Sequence, residues 1–135
     1  MALIVLEMAL RSLAVEFHMI ISVAAGNDSC NTANYTPTRT PEAFIVGATE
    51  ASRLALGLDA RANFSRIGAN ISVFAPRTNV PLLNFNGVTV TSSGTSFAAP
   101  YMAGMFAVSC QAAGTLCATA TNSGTLTQRF KILAC

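Results

Sequence analysis

Charged residues are scarce in this sequence: they form 10% of its 135 residues, whereas 52% of the residues are hydrophobic. An average soluble domain carries about 25% charged residues, so most strands of this chain should be buried on both faces. The sequence has no run of Lys or Arg, and its formal net charge is only +2. We therefore expect no nucleic-acid partner and no binding to an anionic membrane.

Long apolar runs are also missing. Glu7, Arg11 and Glu16 interrupt the apolar stretch near the N-terminus, whereas a spanning helix needs roughly 18 or more uninterrupted apolar residues. The same stretch makes a poor signal peptide, because no basic region precedes it and Glu7 breaks it. The pattern favours a soluble domain, and if the intact protein is exported, we expect its signal to lie outside this chain.

No Cys-x-x-Cys pair is present, so the cysteines do not form the usual spacing of a metal site. The four cysteines allow three disulfide connectivities, and buried thiols are an equally good interpretation. They are Cys30, Cys110, Cys117 and Cys135. Three N-glycosylation sequons, which begin at Asn34, Asn63 and Asn70, would suit a secreted protein.

The hydrophobic pattern predicts one α/β domain, with a partial parallel sheet and helices on both faces. Spacings of three and four predict a helix from about Leu3 to Phe17. Short apolar runs bounded by turn residues predict strands at 19–24, 44–48 and 71–75, and 88–91 is β-prone. A second helix should begin at Thr95, and a further one is possible at 126–133. The residues expected to share one face of the second helix are Ala99, Ala103, Phe106, Ala107 and Cys110.

The sharpest motif is the segment Ser93–Gly104, in which Ser96 stands where a loop becomes a helix. At that position its hydroxyl is exposed and its backbone N–H has no partner within the helix, which suits an oxyanion formed beside a nucleophile. Pro100 lacks the N–H that would bond the Ser96 carbonyl, which is tolerated only in a first turn. Taken alone, Gly-Thr-Ser is more often a helix cap than a catalytic serine.

The longer motif, with Gly94, Thr95, Ser96, Ala98, Pro100 and Gly104, resembles the nucleophile signature of subtilisin-like serine proteases, most closely their proteinase K-like branch. By this resemblance Ser96 is the nucleophile. The segment Val23–Asn27 resembles the stretch whose asparagine donates to the oxyanion, which assigns that role to Asn27. In the family, Ala24, Ala25 and Gly26 would line the pocket for the substrate side chain before the cleaved bond.

The resemblance is strongest over residues 10–110 and implies a single partial domain, 1–135, equivalent to the C-terminal half of the family fold. It also implies a serine endopeptidase that acts on polypeptides through an acyl-enzyme and is secreted. The family's N-terminal half supplies the catalytic Asp and His, and no matching segment is present here. We interpret His18, the only histidine, as a helix-end residue at the opposite rim from Ser96.

Two functional situations fit this incomplete triad. In the first, the chain is part of an endopeptidase whose N-terminal half is its missing partner. In the second, it is a non-catalytic scaffold that acts as a binding partner or inhibitor of another protease. Retention of both Asn27 and Ser96 favours the first, because a binding role needs neither residue.

The resemblance bears on metal binding too. Proteinase K-like enzymes bind calcium through carbonyls that match Pro41 and Ala43 and through a carboxylate at the position of Ser72. A hydroxyl replaces that carboxylate here, and calcium prefers six to eight oxygen ligands that usually include charged carboxylates. We therefore expect no cofactor, and a calcium site that is weak or absent.

Overall fold

The computed structural model describes residues 2–50, 59–76 and 79–113. The predicted helix at 126–133 lies outside these residues. The described elements, in chain order, are α1 (Ala2–Val15), β1 (Ser22–Ala24), a 3-10 helix (Thr32–Asn34), β2 (Phe44–Glu50), β3 (Ala60–Arg61), β4 (Ile71–Pro76), β5 (Val80–Leu83), β6 (Thr89–Ser92) and α2 (Thr95–Ala113).

Strand β2 is the centre of a four-stranded sheet. It pairs in parallel with β1 and with β4, which confirms the predicted parallel arrangement. Its end pairs antiparallel with the two-residue strand β3, so the sheet is mixed. Strand β3 was not predicted, because two residues are too few to show an alternating pattern.

Strands β5 and β6 form a separate antiparallel pair, of which only β6 was predicted. Pro81 lies inside β5, and proline in an apolar run argues against a strand. The sequence indicates this hairpin only at its turn, where Asn86-Gly87 is a typical hairpin dipeptide. In the structure Gly87 has a φ of +74°.

Helix α2 packs on one face of the sheet. Alternate residues of β2 point to opposite faces, so Phe44 and Val46 face α2 while Ile45 faces away. The Phe44 and Phe106 rings lie 4.6 Å apart between centroids. The buried residues of this layer are Phe44, Val46, Ala75, Ala98, Ala99, Met102 and Phe106.

The predicted face of α2 was partly wrong. Ala99 and Phe106 are buried, but Ala103 and Ala107 are exposed, and Met102 is buried in their place. An alanine-rich helix has apolar residues all around its axis, so spacing alone could not show which stripe meets the sheet. Pro100 lies inside the helix beyond its first turn, and not within that turn as expected.

Helix α1 is attached to the segment 36–42 by polar contacts. Glu7 bonds Arg39 and Thr36, and Arg11 pairs with Glu42 at 3.2 Å. Many of its apolar side chains remain exposed, including those of Val5 (62%) and Met8 (66%). Within the described residues, no helix is long and apolar enough to cross a membrane.

This exposed apolar surface should cause the chain to self-associate with rising concentration and to bind a hydrophobic dye. Replacing Val5 and Met8 together by Lys should lower dye fluorescence and leave the circular dichroism spectrum unchanged, because both side chains face solvent. The control, Met102→Lys, should unfold the chain, since Met102 is 5% exposed within the core. A monodisperse wild-type chain that binds no dye would contradict this expectation.

Candidate active site

The end of β1 and the start of α2 meet through the side chain of Asn27. Its Oδ1 accepts hydrogen bonds from the Thr95 N–H and from the Thr95 hydroxyl, both at 2.9 Å. The Thr95 hydroxyl oxygen in turn accepts from the Gly26 N–H at 3.1 Å. Thr95 is fully buried, so these bonds join two segments that are 68 residues apart in sequence.

These bonds fix the orientation of the Asn27 amide. A backbone N–H can only donate, so the group that faces Thr95 must be the amide oxygen. The amide nitrogen Nδ2 is then left as a donor beside the loop that leads to Ser96. A Cβ on Gly94 would lie 3.4 Å from this Nδ2, which shows how closely the loop passes.

Ser96 is the second residue of α2, and its side chain is exposed. Its backbone N–H is one of the first four of the helix, which have no partner inside the helix. The helix dipole makes this end electropositive. The Ser96 N–H and the Asn27 Nδ2 are therefore two available donors at this end of α2.

The three residues expected to line a substrate pocket lie in different environments. Ala24 is half-buried and packs against the α2 layer, whereas Ala25 is 0% exposed within the cluster on the other side of the sheet. Gly26 is half-buried and has a φ of +109°, a backbone conformation that residues with a side chain rarely adopt. Only Ala24 and Gly26 therefore have surface that a ligand could contact.

Beside Gly26 lies a charged cluster that sequence reasoning missed. Arg66 makes two hydrogen bonds of 2.6 Å to the carboxylate of Asp28, and its guanidinium lies 3.4 Å from the ring centroid of Tyr35. The hydrogen bonds from Arg66 hold the pKa of Asp28 well below its ordinary value. The pair is 38 residues apart in sequence, and no local pattern links its members.

His18 lies far from Ser96. It is exposed, has a φ of +54°, and borders a cavity of about 500 Å³ together with Ala107 and Cys110. A helix rises 1.5 Å per residue, so Ala107 lies roughly 16 Å along α2 from Ser96. The α2 residues that line this cavity lie between Ala103 and Cys110, so His18 borders the later part of the helix, whereas Ser96 is its second residue.

Ser72 occupies the position that matches a calcium-binding carboxylate of the family, and its hydroxyl is engaged within the sheet. The Ser72 hydroxyl accepts a hydrogen bond of 3.1 Å from the Ile45 N–H at an irregularity in the β2–β4 pairing. Two main-chain carbonyls and this hydroxyl supply no charged oxygen. Among residues 2–50, 59–76 and 79–113, no group of three or more His, Cys, Asp or Glu is arranged to hold a metal.

The cysteines fall into two classes. Cys110 is disulfide-bonded, and Cys30 is an exposed free thiol. Cys117 and Cys135 lie outside the described residues. The disulfide alternative therefore holds for Cys110, whereas Cys30 is a free thiol that is exposed and not buried.

Known proteins are similar to this chain over most of its length. Residues 6–128 match the sequence profile of the subtilase family. An alkaline serine protease of Corniculantispora psalliotae is 37% identical over 103 residues, which are 73% of this chain and 25% of that protein. A subtilisin-like serine protease of Sarocladium strictum is 37% identical over 102 residues, which are 76% of this chain and 24% of that protein.

Solved structures show the same likeness. A cold-adapted subtilisin-like serine proteinase superposes with a TM-score of 0.66 at 31% identity, over 82% of this chain and 38% of that one. The fold and the site define a subtilisin-like α/β protein. The chain belongs to the subtilase family of serine proteases, and it spans about a quarter of the length of the relatives just described.

The Thr95 hydroxyl can be tested by a single substitution. Thr95→Val keeps the shape of the side chain but removes the two hydrogen bonds of the hydroxyl. The Gly26 N–H is then left without its partner. We expect a loss of about 1–3 kcal/mol in the free energy of unfolding, measured with urea. Thr95→Ser keeps the hydroxyl and should cost less, and equal stability of the two variants would refute the role of these bonds.

Calcium provides a second test. Because Ser72 offers no carboxylate, adding calcium chloride or a chelator should leave the Tm of the wild-type chain unchanged. Ser72→Asp supplies the missing carboxylate and is the matched variant in which calcium should raise the Tm. A calcium-dependent Tm in the wild-type chain would show that its carbonyls bind the ion without that carboxylate.

Proposed function

We propose that Ser96 is the nucleophile of a subtilisin-like endopeptidase, with polypeptides as substrates. The observation that supports this best is the contact between the Asn27 side chain and the residue just before Ser96. The contact puts an amide donor beside an exposed serine at a helix N-terminus, which is the arrangement that acyl transfer requires.

In this proposal the Ser96 hydroxyl oxygen attacks the scissile carbonyl carbon as its proton passes to a base. The carbonyl oxygen becomes an oxyanion, held by the Ser96 N–H and by Nδ2 of Asn27. Collapse of this intermediate expels the amine, which takes the proton, and leaves an acyl-enzyme that water hydrolyses.

The base must come within hydrogen-bond reach of Ser96, and an acid must orient it. We propose that His18 does not fill this role, because it borders a cavity beside the later part of α2. We propose that the histidine and the aspartate come from polypeptide outside these 135 residues, equivalent to the part of the longer relatives that this chain does not match.

We also propose that the protein acts outside the cell. The disulfide at Cys110 suits an oxidising compartment. Two of the sequon asparagines, Asn34 and Asn63, are exposed, so a glycan would fit there. The Asn70 amide instead donates to the Thr38 carbonyl and accepts from Thr32, so its side chain is engaged within the fold.

A chimera tests the proposed function. The N-terminal part of the Corniculantispora psalliotae protease, which this chain does not match, would be fused ahead of residue 1 and assayed with a chromogenic peptide. We expect peptidase activity that Ser96→Ala abolishes. Asn27→Ala should lower kcat about 100 to 1,000-fold, the loss seen in subtilisin when its oxyanion asparagine is removed.

The chain alone is the control. Without a base it should retain at most roughly 1,000 to 10,000-fold acceleration over water, and a fluorophosphonate should label Ser96 very slowly. Rapid labelling of the chain alone would show that it contains its own base. A folded chimera without activity would instead favour the non-catalytic scaffold.

A further inference from the structure

Arg66 contacts both residues that flank Asn27. Its backbone N–H donates to the Gly26 carbonyl at 3.0 Å. Its Nε and Nη2 donate to the two carboxylate oxygens of Asp28, each at 2.6 Å. One residue therefore holds the chain immediately before and immediately after the candidate oxyanion donor.

The Arg66 side chain is seated in the fold, unlike that of a loose surface ion pair. It lies so close to Gly26 that a Cβ there would fall 2.5 Å from Nε. The Tyr35 ring packs against its guanidinium, and the side chain of Arg66 is only 14% exposed, compared with 46% for Asp28. A planar guanidinium held in this way fixes the orientation of the Asp28 carboxylate and also pairs with its charge. A lysine ammonium could not fix that orientation.

Asp28 is itself fixed by a second contact. Its Oδ1 also accepts from the Cys30 N–H at 3.1 Å, which closes a turn directly after Asn27. The adjacent Ser29 N–H donates to the Phe64 carbonyl at 3.0 Å, so the turn is tied to the segment that carries Arg66. Thus Arg66 and its segment bond the main chain around Asn27, and Thr95 bonds the side-chain oxygen of Asn27.

We propose that Arg66 is a positioning residue for the amide of Asn27, acting through Gly26 and Asp28. This rests on the proposed function, in which Asn27 donates to the oxyanion. Thr95 holds the side-chain oxygen of Asn27, and Arg66 holds the residues on either side of it. In this proposal the two together keep Nδ2 at the position where an oxyanion would form.

The Asn27 side-chain amide can be observed directly in the full chain labelled with ¹⁵N-asparagine, in dilute solution. Its NMR signals are assigned by their loss in Asn27→Ala. In Arg66→Lys and in Asp28→Asn, these signals should move toward random-coil positions, and their exchange with water should rise about 10-fold or more. Arg39→Lys is the matched control, because it makes the same substitution in a two-point arginine–carboxylate pair elsewhere, that of Arg39 with Glu7, and should leave the Asn27 signals unchanged.

A double-mutant cycle gives a second readout. If Arg66 positions Asn27, the effects of Arg66→Gln and Asn27→Ala on the unfolding equilibrium constant should depart from additivity by about 5-fold. The same cycle with Arg39→Gln should be additive. If Arg66→Gln does not fold, the NMR result for Asp28→Asn decides, because that variant retains Arg66.

Asn27 signals that are unchanged in both Arg66→Lys and Asp28→Asn would overturn the proposal, as would an additive cycle. Neither measurement uses peptidase activity. A folded but inactive chimera would therefore count against the proposed function alone, and the NMR spectra and the cycle would still decide whether Arg66 positions Asn27.

Discussion

The hydrogen bonds between Asn27 and Thr95 connect the sheet to its covering helix at the candidate active site. Thr95 is completely buried, so its N–H and hydroxyl depend on Asn27 for hydrogen-bond partners. A further bond, from the Ser22 hydroxyl to the Ala99 carbonyl at 2.8 Å, joins the same strand and helix. The register between β1 and α2, and hence the position of Ser96, follows from these contacts.

The oxyanion donors and the proton-transfer groups require different structural elements. A donor pair needs only a strand end, a helix start and one amide side chain, and these 135 residues contain all three. Proton transfer needs a histidine in reach of Ser96, and the single histidine borders a cavity near the other end of α2. In the proposed function, this chain supplies the two oxyanion donors, and the groups that transfer the proton come from polypeptide outside it.

Sequence patterns predicted the features that depend on local order. The strands around Phe44 and Ile71 were visible as short apolar runs, although only β2 is buried on both faces and β4 is mostly half-buried. Ser96 was visible because its motif is contiguous. Strand β5 was not visible, because Pro81 breaks the apolar run. The Arg66–Asp28 pair and the buried stripe of α2 depend on contacts between distant segments, which no local spacing encodes.

The most direct test of this account is hydrogen exchange at the Thr95 amide. The first amides of a helix normally exchange quickly, because they have no partner inside the helix. The Thr95 N–H donates to Asn27 instead, so we expect it to be protected in the wild-type chain and to lose that protection in Asn27→Ala. Exchange at the unprotected rate in the wild-type chain would contradict the joining of β1 to α2 by Asn27.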